Sequence, residues 1–188
     1  TILYNQYFAH TVILVSLFLH STNIFIHFFN NTLLISLNFY YNQLTSLYVS
    51  NNTALTDLQC SSNQLTSLDV SMLPDLRYLI CEGNQLTHLD LSGNPALYVL
   101  YCFHNKLVDL DISGNTQLEH LDCESNFLSA LDISSSSVLK RLVCDNNQLS
   151  SLDVSNNTAL TELWCGANQL TSLDLSSNTS LVTLSLNE

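Results

Sequence analysis

Six cysteines recur at one fixed spacing, and they are the residues whose chemistry has to be decided first. They follow one another at a constant 21-residue step: Cys60, Cys81, Cys102, Cys123, Cys144 and Cys165. A zinc site needs converging ligands such as paired cysteines, and a catalytic thiol needs exposure and a lowered pKa. One cysteine in every repeat offers neither arrangement. We therefore expect a structural ladder of free, buried thiols, with no metal, no cofactor and no catalytic residue.

Other residue types keep the same step and indicate the elements that hold the cysteines. The repeated unit is L-x-C-x-x-N-x-L-x-x-L-D, as in "LQCSSNQLTSLD" at 58–69. Leu58 and Cys60 alternate with Asp57 and Gln59, which is the pattern of a strand buried on one face. Repeats of this length stack as the coils of a solenoid, so the strands should form one parallel sheet. Cysteine side chains in such a stack point the same way, which opposes the torsion of a disulfide.

The segment after each strand predicts the opposite wall of the coil. In "QLTSLDV" at 64–70, we expect Leu65, Leu68 and Val70 to point inward. A 21-residue coil is short, so this wall is predicted to be extended rather than helical. Each coil then buries several apolar side chains, although no coil could form a core alone.

Two polar columns also follow the repeat. The asparagines at Asn63 and its equivalents should bond main-chain groups of adjacent coils. The aspartates are Asp69, Asp90, Asp111, Asp132, Asp153 and Asp174. Like charges in register repel, so these carboxylates need donors, and the serine two residues later is the candidate. A calcium-binding row is the alternative for this column.

The repeat resembles the leucine-rich repeat, L-x-x-L-x-L-x-x-N/C-x-L. It is similar in particular to the 21-residue cysteine-containing repeats of internalin-type bacterial surface proteins and of secreted proteins of Bacteroidetes-type bacteria. The resemblance covers residues 37–188 closely and 17–36 loosely. It implies a leucine-rich-repeat solenoid with a parallel β-sheet on the concave face, short extended segments on the convex face and little or no α-helix. It also implies adhesion or protein binding outside the cell or at its surface.

The chain divides into two regions by composition. Residues 37–188 are the 21-residue repeats, which stop in mid-repeat as if truncated. Residues 1–36 are a divergent N-terminal cap or a degenerate repeat, in which "LFLHSTNI" at 17–24 matches the unit with a step of 20. Residues 1–56 carry no Asp, Glu, Lys or Arg, and three interpretations stay open: a cap, an interface, or a misassigned stretch of sequence.

Ligand binding is expected where the repeats differ, because packing fixes the shared columns. The first and third side chains of each strand should face solvent on the concave sheet. We expect Tyr78, Ile80, Tyr101 and Phe103 to form an exposed cluster on adjacent coils. The other candidate binding residues are His120 at its border, with Arg141 and Trp164 further along. Exposed tyrosine, tryptophan and arginine dominate binding hot spots.

Charge and motifs narrow the function. The net charge of −12 argues against nucleic acid as a partner, and the apolar run at 11–19 is too short to insert across a membrane. The sequence contains no nucleophile–base pair, phosphate-binding glycine loop or H-E-x-x-H motif, so we expect no enzyme activity. We expect a non-catalytic module for protein–protein interaction or adhesion. A structural or ice-binding solenoid, built on a Thr/Ser row, and a glycan-binding repeat domain are the alternatives.

Overall fold

The computed structural model describes residues 31–187, together with the backbone of one earlier strand at 14–16. This part of the chain contains nine short strands, which form one parallel sheet in sequence order. The strands are β1 (Leu14–Ser16), β2 (Ser36–Asn38), β3 (Asp57–Gln59), β4 (Tyr78–Ile80), β5 (Val99–Tyr101), β6 (His120–Asp122), β7 (Arg141–Val143), β8 (Glu162–Trp164) and β9 (Thr183–Ser185). The leucine-rich-repeat solenoid predicted from the 21-residue step is confirmed.

The register follows the repeat from β2 onward. Leu58 pairs with Leu79, and Leu79 pairs with Leu100, so each coil adds one full repeat. The step from β1 to β2 differs from the later ones. Val15 pairs with Leu37, so this coil is one residue longer than the repeat. The step of 20 that places Leu17 in this column is therefore wrong. Side chains alternate with a period of two in a strand, so the sequence pattern at 11–19 does not distinguish registers that differ by two residues. The other predictions for residues 1–30 lie outside the described residues.

One residue per coil turns the chain after the strand. Each of these positions has a positive φ: Tyr41, Ser62, Gly83, His104, Ser125, Asn146 and Ala167. The next residue in each coil is the ladder asparagine, as with Gly83 and Asn84. The return wall contains no helix anywhere in residues 31–187, which confirms the extended convex segments.

The interior of the coils is dominated by leucine. Leu58, Cys60, Leu65, Leu68 and Val70 are all buried, as are their equivalents in the next four coils. Phe39 takes the place of the cysteine in the second strand's coil and is fully buried. Each coil thus contributes side chains to a single continuous core.

The cysteine ladder is free of disulfides, as predicted. All six cysteines are free and at most 2% exposed. Burial raises the pKa of Cys60 to about 12 and the pKa of Cys165 to about 11. The thiols therefore stay protonated and unreactive at neutral pH, and Cys123 donates weakly to the Val143 carbonyl at 3.5 Å.

The aspartate column finds the donors that the sequence predicts. Asp69 Oδ1 accepts hydrogen bonds from the main-chain N–H of Ser71 at 3.0 Å and from its hydroxyl at 2.7 Å. The main-chain bond recurs at Asp90, Asp111, Asp132, Asp153 and Asp174. These bonds lower the pKa of each carboxyl, so the row stays ionised on the convex edge.

Candidate functional site

The concave sheet places the predicted aromatic and apolar residues on neighbouring coils. Tyr78 begins β4 and Ile80 ends it, and Ile80 lies in register beside Tyr101 of β5. Tyr78 is 38% exposed, whereas Ile80, Tyr101 and Phe103 are half-buried. The group therefore presents one well-exposed ring and three partly covered apolar side chains.

Tyr98 belongs to this group, although the strand pattern does not select it. Its ring centroid lies 5.9 Å from that of Tyr78 and 5.9 Å from that of His120, with edge-to-face geometry at both contacts. Tyr98 precedes β5 by one residue and so falls outside the alternation that identifies outward strand positions. The signal that could have found it is the variation of this column, which holds Thr56, Arg77, Tyr98, Glu119 and Lys140.

A chain of polar contacts holds Tyr98 in place across three coils. The Tyr98 hydroxyl donates to Glu119 Oε2 at 2.8 Å, and Lys140 Nζ donates to the same oxygen at 2.6 Å. The Lys140 bond first, and the Tyr98 bond second, lower the pKa of the Glu119 carboxyl. In return, the bond to Glu119 raises the pKa of Tyr98, so the phenol stays protonated. The Tyr78–Tyr98–His120 rings, defined here as the aromatic cluster, thus have a fixed support at one end.

Arg141 is already paired within the sheet. Its Nε donates to Glu162 Oε2 at 3.2 Å, and its Nη1 donates to Asp122 Oδ2 at 3.4 Å. Burial raises the pKa of Asp122, while the Arg141 guanidinium partly offsets that rise. Arg141 therefore links three adjacent strands, and its charge is largely matched by the two carboxylates.

Three outward strand positions are buried, which corrects the expectation that all of them face solvent. Val99, Asp122 and Val143 are each at most 8% exposed. Val99 lies in register between Tyr78 and His120, whose larger side chains flank it on both sides. Arg141 bonds Asp122 and keeps it from solvent. On a sheet with coils only ~4.8 Å apart, a large neighbour hides a smaller side chain.

The remaining candidate lies apart from the aromatic cluster. Trp164 ends β8, is 40% exposed, and pairs in register with Val143 and Ser185. It is three coils beyond Tyr101 in the same column, so the structure does not bring it together with Tyr78.

Within the described ranges, no group of three or more His, Cys, Asp and Glu side chains is placed to hold a metal ion. A hollow of about 250 Å³ lies on the convex side, lined by residues that include Asp90, Asp109, Asp111 and Asn115. Among the residues that the structure describes, no helix has the length and apolar character needed to span a bilayer.

Solved structures with this fold are numerous. One is InlJ from Listeria monocytogenes, whose functional domain includes a cysteine ladder. It is 34% identical to this chain with a TM-score of 0.59, and the match covers 84% of this chain and 44% of the InlJ chain. An internalin, InlF, from the same organism is 28% identical with a TM-score of 0.78. That match covers 82% of this chain and 48% of the InlF chain. YopM, a leucine-rich effector protein from Yersinia pestis, is 28% identical with a TM-score of 0.71. That match covers 81% of this chain and 43% of the YopM chain.

The match is thus to part of larger molecules, since the chain spans under half the length of these three structures. No protein-family model and no curated protein sequence matches the chain significantly. The likeness to InlJ includes the distinctive feature of this chain, which is the ladder of buried cysteines. The chain is therefore a leucine-rich-repeat solenoid with 21-residue cysteine-ladder repeats, similar to InlJ.

Proposed function

We propose that the chain is a non-catalytic module that binds a partner protein through its concave sheet. The observation that carries this proposal is the aromatic cluster of Tyr78, Tyr98 and His120, together with the neighbouring Ile80 and Tyr101. These side chains lie in outward columns, where the residue type differs from coil to coil because core packing does not fix it. A group of partly exposed aromatic rings on the surface has the composition typical of a binding hot spot.

The fixed geometry of the aromatic cluster supports this proposal. Tyr98 is held by Glu119, and Glu119 is held by Lys140, so the phenol ring has little freedom to move. A ring that is already ordered loses little conformational entropy when a partner binds. The parallel sheet beneath it is continuous from β2 to β9, which gives a rigid base.

The neighbours support an extracellular or cell-surface setting for this module. They include internalins of Listeria monocytogenes and a leucine-rich effector protein of Yersinia pestis. We infer that this chain likewise acts in adhesion or contact with another protein outside the cell. A glycan ligand is the second candidate, because exposed tyrosine and tryptophan rings can also stack on sugars.

The test compares two variants that carry three alanine substitutions each. Tyr78→Ala/Tyr101→Ala/Phe103→Ala, the concave triple variant, removes three aromatic side chains of the concave side. The control variant Val108→Ala/Phe127→Ala/Val138→Ala removes exposed apolar side chains elsewhere. Each is applied, beside the wild type, to an array of purified extracellular proteins and to a glycan array. We expect proteins bound by the wild type to be retained by the second variant and weakened at least about tenfold by the first. Equal binding by both variants, or binding to glycans alone, contradicts the proposal.

A further inference from the structure

The residue that follows each ladder cysteine forms a column at the end of the strands. In successive coils this column holds Ser61, Glu82, Phe103, Glu124, Asp145 and Gly166. The main chain stays in register here, because Gly83 N–H donates to the Phe103 carbonyl and His104 N–H donates to the Glu124 carbonyl, each at 3.0 Å. Phe103 therefore lies one coil away from a carboxylate on either side, at a coil spacing of ~4.8 Å.

Glu82 carries an acceptor atom without a donor. Its Oε2 is buried and accepts no hydrogen bond from any part of the chain that the structure describes. A carboxylate oxygen that has lost water and gained no donor is costly to maintain. The residue as a whole is only half-buried, so a rotation of its side chain can bring this buried oxygen to a donor at the surface.

The charges around Phe103 are unbalanced. The variable columns of the concave side hold seven carboxylates, namely Asp57, Glu82, Glu119, Asp122, Glu124, Asp145 and Glu162, against Arg77, Lys140 and Arg141. Lys140 pairs with Glu119, and Arg141 pairs with Asp122 and Glu162. Within residues 31–187, the other four carboxylates form no ion pair, and two of them are Glu82 and Glu124.

We propose that Phe103, flanked by Glu82 and Glu124, binds an arginine or lysine side chain of the partner protein. This inference rests on the proposed function, since it assigns a partner chemistry to the same concave surface. The face of the phenylalanine ring attracts a cation, and each carboxylate accepts a charge-assisted hydrogen bond. Arginine fits better than lysine, because its planar guanidinium can donate toward both carboxylates while it stacks on the ring.

The test uses three octapeptides that alternate glycine with arginine, lysine or citrulline. Each is titrated calorimetrically into the full chain at low and at physiological salt. We expect the arginine peptide to bind most tightly, and the uncharged citrulline peptide to bind at least about tenfold more weakly. Equal affinity for the arginine and citrulline peptides overturns the inference.

Matched variants separate this site from the general negative charge of the chain. Glu82→Gln/Glu124→Gln should weaken the arginine peptide about tenfold, and Phe103→Leu should weaken it about two- to fivefold. Asp111→Asn/Asp132→Asn also removes two negative charges, but from the aspartate column on the convex side, and it should leave the affinity unchanged. An equal loss in this control shows non-specific attraction and overturns the inference. Thermal unfolding confirms that all variants are folded.

The failure of this inference differs from the failure of the proposed function. If the concave triple variant loses its protein partners while the arginine peptide fails to bind the wild type, the concave module stands and the cation site is overturned. If no protein depends on the concave residues and no peptide binds, both are overturned.

Discussion

Asn84 donates its side-chain amide to the main-chain carbonyl of Cys60, 24 residues earlier, at a distance of 3.0 Å. The same amide donates to the carbonyl of Cys81 in its own coil at 3.0 Å. Its oxygen accepts the Leu65 N–H, again at 3.0 Å. One buried side chain thus satisfies main-chain groups of two successive coils, and it recurs in every repeat from Asn63 to Asn168. The predicted role of this column is confirmed.

Replacing one ladder asparagine should destabilise the whole stack. Asn126→Ala leaves the Leu107 N–H without its acceptor and removes the donor to the Cys102 and Cys123 carbonyls. We expect the free energy of unfolding to fall by about 2–4 kcal/mol, because buried main-chain groups lose their partners. Urea titration followed by circular dichroism measures it. Ser129→Ala, an exposed change in the same coil, should cost under about 0.5 kcal/mol.

The cysteine ladder should make the protein sensitive to alkali. Burial raises the pKa of Cys60 from 9.0 to about 12, so the folded state keeps a proton that the unfolded state releases above pH 9. The unfolded state then binds fewer protons, and the free energy of unfolding falls as pH rises from about 9 toward 12. Urea titrations between pH 8 and pH 11 test this, with Cys60→Val as the variant whose slope should be shallower. A wild-type stability that is flat over this range contradicts the burial of the thiols.

Two glycines at equivalent positions should respond differently to the same substitution. A Cβ on Gly93 would lie 2.2 Å from the Ser71 carbonyl oxygen, whereas a Cβ on Gly114 would meet nothing within 4 Å. Gly93→Ala should therefore destabilise the protein by about 1–3 kcal/mol, because the main chain of the adjacent coil must move. Gly114→Ala should be neutral or slightly stabilising. Thermal unfolding of the pair gives the comparison, and equal melting temperatures would show that the coils are less tightly stacked here.

The aspartate column should contribute stability that acid removes. Hydrogen bonds from the main chain and side chain of Ser113 lower the pKa of Asp111 below its usual 3.8. A depressed folded-state pKa gives stability that is present above 3.8 and is lost as pH falls through the folded value. Asp111→Asn should therefore lower the stability at pH 7, and this effect should shrink as the pH falls below 3.8. Unfolding measured at pH 7 and at a series of acidic pH values tests this sign, and an effect that is constant over the series would refute it.

The fold could be predicted almost entirely from the sequence, because each core column repeats its residue type. The inward leucines, the free cysteines, the bridging asparagines and the Asp–Ser bonds all follow from the 21-residue step. The register between β1 and β2 did not follow from the sequence, because the alternation of a strand does not distinguish registers that differ by two residues.

The candidate site was less accessible to sequence reasoning, because it depends on contacts between residues that do not repeat. Alternation marks Tyr78 as outward but says nothing of Tyr98, which lies just before its strand. Alternation also predicts that Val99 is exposed, although its neighbours in the adjacent coils bury it. Strand periodicity gives the direction of a side chain, while its exposure depends on the sizes of the side chains beside it.

Photo-cross-linking tests the central claim, that partners dock on the concave sheet, most directly. A benzoylphenylalanine is placed at position 101 on the concave face in one protein, and at position 108 in the exposed Thr/Ser row in another. Both are irradiated with the same mixture of extracellular proteins. The account predicts that position 101 forms an adduct with a protein. An excess of unlabelled wild type should abolish this adduct by competition, whereas an excess of the concave triple variant should not. Adducts from position 108 alone, competed equally by both, would contradict it.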